Sequence, residues 1–164
     1  MRRQALVLAI AGLVTACTTT RPLPIAVEPV AGAPEALAGL DWFLTEDPME
    51  TRLAYGLPNS GDFRMAVICE PASGRVSVMQ ATETAAGIMV LESGGVIEQL
   101  TATAEPAGVQ EGDILLAETT ASAPVLQRFR TLGWLAIWQG EQRETLVAHP
   151  ASRPSIDRFF TLCG

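Results

Sequence analysis

The chain has 164 residues, room for one domain and too few for two ordinary ones with a linker, which excludes the large catalytic folds. Apolar residues make up 48% and charged residues only 18%, below the ~25% usual for soluble domains, so intrinsic disorder is excluded and a well-filled core is expected. Eleven basic residues, every one an Arg, stand against 18 acidic ones for a net charge of -7, a balance that argues against a nucleic-acid partner.

The chain opens with Arg2 and Arg3, continues through the apolar run Ala5 to Val14, and reaches Val14-Thr15-Ala16-Cys17. An apolar run of ten residues covers roughly 15 Å as a helix, about half of the ~30 Å hydrocarbon layer, so it reads as a secretory signal and not as a membrane span. The V-T-A-C ending resembles the lipobox of bacterial lipoproteins, with Val14 in place of the commoner Leu. That resemblance implies a signal peptide over residues 1–16, cleavage before Cys17, and acylation of Cys17. Two or more acyl chains, at ~0.8 kcal/mol per buried methylene, would hold such a protein to its membrane. The residue after the cysteine, Thr18, is not the Asp of the inner-membrane retention pattern, and so the resemblance implies the periplasmic face of the outer membrane.

With Cys17 assigned to lipid, Cys69 and Cys163 remain, either as a pair in an oxidising compartment or as two buried thiols. A bond between them would close a loop of about 95 residues and stabilise the fold by ~4 kcal/mol in the chain-entropy picture. Loss of residues 1–16 removes two Arg and no acid, so the mature chain carries a charge of -9. A basic partner suits that field better than an anionic one.

Residues 17–39 follow the signal with Pro22, Pro24, Pro29 and Pro34 among Thr, Ala and Gly, the composition of an extended tether. At ~3.1 Å per residue it reaches up to roughly 70 Å. From residue 40 to 164 short apolar runs are cut by turn residues every eight to twelve positions, which predicts a mainly β domain, an antiparallel β-sandwich or barrel of about eight or nine strands. Trp42-Phe43 and Tyr55-Gly56-Leu57-Pro58 are expected to fasten the end of the tether to the sheet. Phe63, Met65, Val67 and Cys69 alternate with Arg64, Ala66 and Ile68 and are expected to share the inward face. Pro71-Ala72-Ser73-Gly74 turns the chain into Arg75 to Val78; Ile88 to Leu91 runs to a hairpin at Gly94-Gly95 and returns as Val96 to Leu100. Ile114 to Ala117, Trp134 to Trp138 and Glu144 to Val147 complete the strands. Two stretches change to helical spacing: Val125, Leu126, Phe129 and Leu132, ended by Gly133, and Ile156, Phe159, Phe160 and Cys163.

Catalytic chemistry finds little support. Nucleophilic and metal chemistry need convergent groups, yet the chain has one His, His149 in Ala-His-Pro, and no Lys. The nucleophile elbow, the phosphate loop and the dinucleotide turn do not occur. No cofactor and no metal are expected, and the reading is non-enzymatic. A carboxylate pair such as Glu70 and Glu92 remains the one glycosidase-like possibility, without support from spacing. Trp134 and Trp138 lie an even number apart and face one side of their strand, either as an exposed binding surface or, as is commoner in a sandwich, as core.

In layout, the chain resembles the small envelope lipoproteins of Gram-negative bacteria, with one β-rich domain and a cysteine near the C-terminus. The resemblance implies a non-catalytic outer-membrane lipoprotein facing the periplasm, bound to the membrane through its lipid anchor and serving as a binding or accessory component of a cell-envelope assembly with an envelope protein as partner. An alternative is a membrane-bound lysozyme inhibitor, a family of lipidated, disulfide-containing small β-barrels. Val67-Ile68-Cys69 and Ser93-Gly94-Gly95 are similar to its early strand cysteine and Ser-Gly loop, although the aromatic that follows the loop in that family is missing here. An envelope hydrolase is a third reading.

Overall fold

The computed structural model describes residues 34–83, 86–108 and 112–164. The signal peptide, Cys17 and most of the Pro-rich stretch lie outside the described residues. Among the described residues there are nine strands: β1 (Asp41–Glu46), β2 (Thr51–Gly56), β3 (Phe63–Cys69), β4 (Arg75–Thr82), β5 (Ile88–Ser93), β6 (Val96–Pro106), β7 (Asp113–Thr120), β8 (Trp134–Gln139) and β9 (Gln142–Val147). Two helices, α1 (Pro124–Leu132) and α2 (Arg153–Cys163), follow β7 and β9. All neighbouring strands are antiparallel, in the order β1-β2-β3-β4-β7-β6-β5-β8-β9, and the sheet curls into a nearly closed barrel. Among the described residues no helix is long and apolar enough to cross a membrane.

Period-two patterning sets the inward face. Along β4 the buried positions Val76, Val78, Gln80 and Thr82 alternate with the partly exposed Ser77, Met79 and Ala81. The long strand β6 bends the sheet, pairing with β5 through Val96 to Thr101 and with β7 through Ala102 to Pro106. At the β5–β6 turn Gly94 and Gly95 take φ of 55° and 80°, the left-handed region that only Gly enters cheaply. One expectation fails at β3. The register slips between Tyr55 and Gly56, so that Tyr55 pairs with Met65 but Gly56 with Phe63. The skipped residue turns Phe63 to the outer face, where the Arg52 guanidinium lies 4.9 Å from its ring centroid. Phe63 therefore does not share the face of Cys69.

The helices close one end of the barrel. Each begins with a Pro at its N-terminal turn, which fits the fixed φ of that residue, and α1 stops at Gly133 with φ 73°. Leu126, Phe129, Ile156 and Phe159 are fully buried against the inner faces of the strands. A file of aromatic rings runs from Tyr55 to Trp42 (5.3 Å between centroids), Phe129 (4.7 Å), Phe160 (6.1 Å) and Phe159 (5.3 Å). Trp42 and Tyr55 are thus core residues of β1 and β2. Burial pushes the Tyr55 phenol above its ordinary value, keeping it neutral. At the same end Cys69 and Cys163 stand at disulfide distance with Cα atoms 5.8 Å apart, both buried. Backbone bonds from Ala72 to Leu162 and from Gly74 to Cys163 weld the β3–β4 turn to the end of α2.

The seam between β1 and β9 is held by side chains. Trp42 Nε1 donates to the Leu146 carbonyl at 3.3 Å, and Asp41 Oδ1 accepts from the Ser152 hydroxyl at 2.5 Å and the His149 backbone N–H at 3.1 Å. Ala36, inside the Pro-rich stretch, already packs against Trp134 and its neighbours.

Candidate functional site

The strand β8 and the open end of the barrel carry the polar groups that the core does not absorb. Register places Ala136 of β8 between Glu92 of β5 and Thr145 of β9, and Trp138 between Val90 and Arg143. These positions lie on the face of β8 opposite Leu135 and Ile137, which belong to the main core. The small side chain of Ala136 leaves space above it, and Arg143 reaches across β8 to fill that space.

Arg143 grips Glu92 bidentately, Nε to Oε2 at 2.8 Å and Nη2 to Oε1 at 3.2 Å, while Nη1 donates to Thr145 Oγ1 at 2.6 Å. Trp138 Nε1 adds a further bond to Glu92 Oε2 at 3.2 Å. Trp134 lies under the guanidinium, 5.5 Å from its ring centroid. The Glu92 side chain has no exposed surface and that of Arg143 only 16%. A buried carboxylate with three donors and a cation stacked on an aromatic ring form a completed network, and such a network fixes geometry without leaving a group free for chemistry.

The residues singled out in the sequence separate accordingly. Trp134 is buried, packed with Ala36, Leu132 and Val147, and offers no binding surface; Trp138 is half-buried and remains partly accessible. Glu70 is exposed just past β3, whereas Glu92 is buried on β5, so the two carboxylates share neither a strand pair nor an environment. Ser93 is buried and donates to the Trp134 carbonyl at 2.8 Å, and Gly94 is pressed against Leu132 and Arg128 of α1, so the Ser-Gly turn is packed on a helix. His149 Nε2 lies 3.1 Å from the Leu37 carbonyl. Among the described residues no cluster of three or more His, Cys, Asp or Glu stands close enough to hold a metal.

Sequence reasoning missed Arg143, and it missed Gln80. At the end of the barrel opposite the helices, where β4 and β8 end and β5 and β7 begin, lies a cavity of about 570 Å³. Its walls include Leu115, Ile88, Val90 and Trp138, and Gln80 lines it from β4. The visible signal was Gln80 itself, a polar residue in step with Val76 and Val78 at an inward position. No protein-family model, curated protein or solved structure matches this chain, so the geometry and the sequence carry the functional reading.

Proposed function

We propose that the chain is a non-catalytic outer-membrane lipoprotein facing the periplasm, held by acyl chains on Cys17 and serving as a binding component of a cell-envelope assembly. The observation that carries this reading is the Cys69–Cys163 pair at disulfide distance. Such a pair persists in an oxidising compartment such as the periplasm, and it accounts for two of the three cysteines, leaving Cys17 for the lipobox chemistry. The non-catalytic part of the reading is supported by the way Glu92, Ser93 and Asp41 are each committed to structural hydrogen bonds.

The test is metabolic labelling with palmitate and fractionation of cells expressing the full chain. Wild type should incorporate label and sediment with outer membranes, and Cys17→Ala should take up none and leave the outer-membrane fraction. Unlabelled protein that still sediments with outer membranes would mean that something other than Cys17 anchors it.

A further inference from the structure

We propose that the cavity at the open end of the barrel is a binding site for a small neutral carboxamide with an apolar body, anchored by the side chain of Gln80. Gln80 sits on β4 between Met65 of β3 and Leu115 of β7, at an inward position fully removed from solvent. Among the described residues, neither its Nε2 nor its Oε1 has a hydrogen-bond partner. A buried amide with both ends unmade is costly, and native proteins keep few such groups. Its neighbours in the pattern, Val76 and Val78, show that an aliphatic side chain suits this face, so packing alone does not call for the amide.

The cavity beside it, about 570 Å³, lies within the ~300–1,000 Å³ range of small-molecule sites, and its walls are mixed, Leu115, Val90 and Trp138 standing against Thr82, Gln139 and Gln142. Its chemistry selects the ligand. Gln80 presents one acceptor and two donor hydrogens, and a carboxamide answers both functions at once: its carbonyl accepts from Nε2 while its N–H donates to Oε1. A carboxylate can only accept, leaving Oε1 against a negative oxygen. Among the described residues that line the cavity there is no Arg to neutralise an anion, and the one charged group, Glu83, repels it. The apolar body of the ligand would lie against Leu115, Val90 and Trp138. The inference does not depend on where the chain is anchored.

Cyclohexanecarboxamide and cyclohexanecarboxylate are matched probes, equal in shape and different in charge. Both would be titrated at pH 7.5 into the full chain held in detergent, with glutamine side-chain amides followed by nitrogen-15 NMR. The amide probe should shift the Gln80 side-chain signals and the carboxylate should bind at least tenfold more weakly. Gln80→Leu should remain folded, with an unchanged or higher melting temperature, and weaken the amide probe at least tenfold. Ile88→Trp, at a residue 39% exposed on the cavity wall, should block binding while leaving Gln80 in place. The proposal fails if the Gln80 signals do not move, if both probes bind alike, or if Ile88→Trp binds as wild type does. It fails equally if Gln80→Leu unfolds the domain while the probe leaves wild type unchanged, since the amide would then be structural.

Discussion

Around the helices the interior is filled: Phe129 and Phe159 occupy the space, Ser93 is capped by a carbonyl, and Cys69 meets Cys163. At the opposite end a cavity remains, lined in part by Gln80, whose buried amide has no hydrogen-bond partner among the described residues. Between them, on β5, Glu92 shows what a buried polar group looks like when the fold has completed its bonds. The contrast separates structural burial from burial that waits for a ligand. Glu92 and Gln80 are both fully buried, and only the count of partners tells them apart.

The sharpest way to break the comparison is to remove a partner from Glu92. Arg143→Ala leaves a carboxylate buried without its cation, and we expect a loss of about 3–5 kcal/mol of stability by urea unfolding. The paired replacement Glu92→Leu with Arg143→Met should cost clearly less than Arg143→Ala alone, because no charge is then stranded. A double variant as unstable as the single one would show that the pair is held for reasons beyond charge compensation.

The second test addresses the stapled end. Cys163→Ser should cost roughly 2–5 kcal/mol in thermal or urea unfolding, as expected for opening a long loop. Wild type unfolded without reductant should take up no alkylating agent at Cys69 or Cys163, which intact mass would read directly. Modification at both would refute the bond.

A smaller effect is expected on β8. Trp138→Phe keeps a ring on the cavity wall and removes the indole N–H that donates to Glu92, so the cost should be about 1 kcal/mol. Two bonds from Arg143 persist at Glu92 in that variant, which is why the loss is limited. A cost as large as that of Arg143→Ala would mean that Trp138 is as integral to the core as Trp134.

Much of this arrangement was legible in the sequence because it rests on local periodicity. The β5–β6 hairpin follows from Gly94-Gly95 between apolar runs, and α1 from its Pro124 start, its 3.6-residue spacing and its Gly133 stop. Phe63 was misplaced because a register slip one strand away, at Tyr55 and Gly56, overrides alternation. The full burial of Trp42 was not legible, because it depends on Phe129, far along the chain. The site was harder still. Glu92 and Arg143 meet across β8, a pairing fixed by strand order and not by any spacing. Gln80 alone left a trace, an amide where the pattern of β4 asks for an aliphatic residue.

The smallest effect concerns the exposed ion pair between β1 and α2, the solvent-facing counterpart of Glu92 and Arg143. Arg158 donates to Glu46 through Nε at 3.1 Å and Nη2 at 3.0 Å, the same bidentate geometry in open water. The Arg158 hydrogen bond holds the Glu46 carboxyl below its ordinary value of 4.5, with the Arg158 charge acting in the same direction and the slight desolvation opposing it. A carboxyl depressed in the folded state contributes stability above its unfolded value. That contribution is lost as the pH falls from about 4.5 through the lower folded value. Glu46→Gln should therefore lower the melting temperature slightly at pH 7, and the two proteins should converge once the pH falls below that lower folded value. The gap at pH 7 should also shrink in 1 M salt, where charges at the surface are screened within about 3 Å. Arg143→Ala should keep most of its cost in the same salt, because Glu92 is out of reach of the ions. Equal salt sensitivity of the two variants would place both pairs in the same environment and remove the distinction drawn from burial.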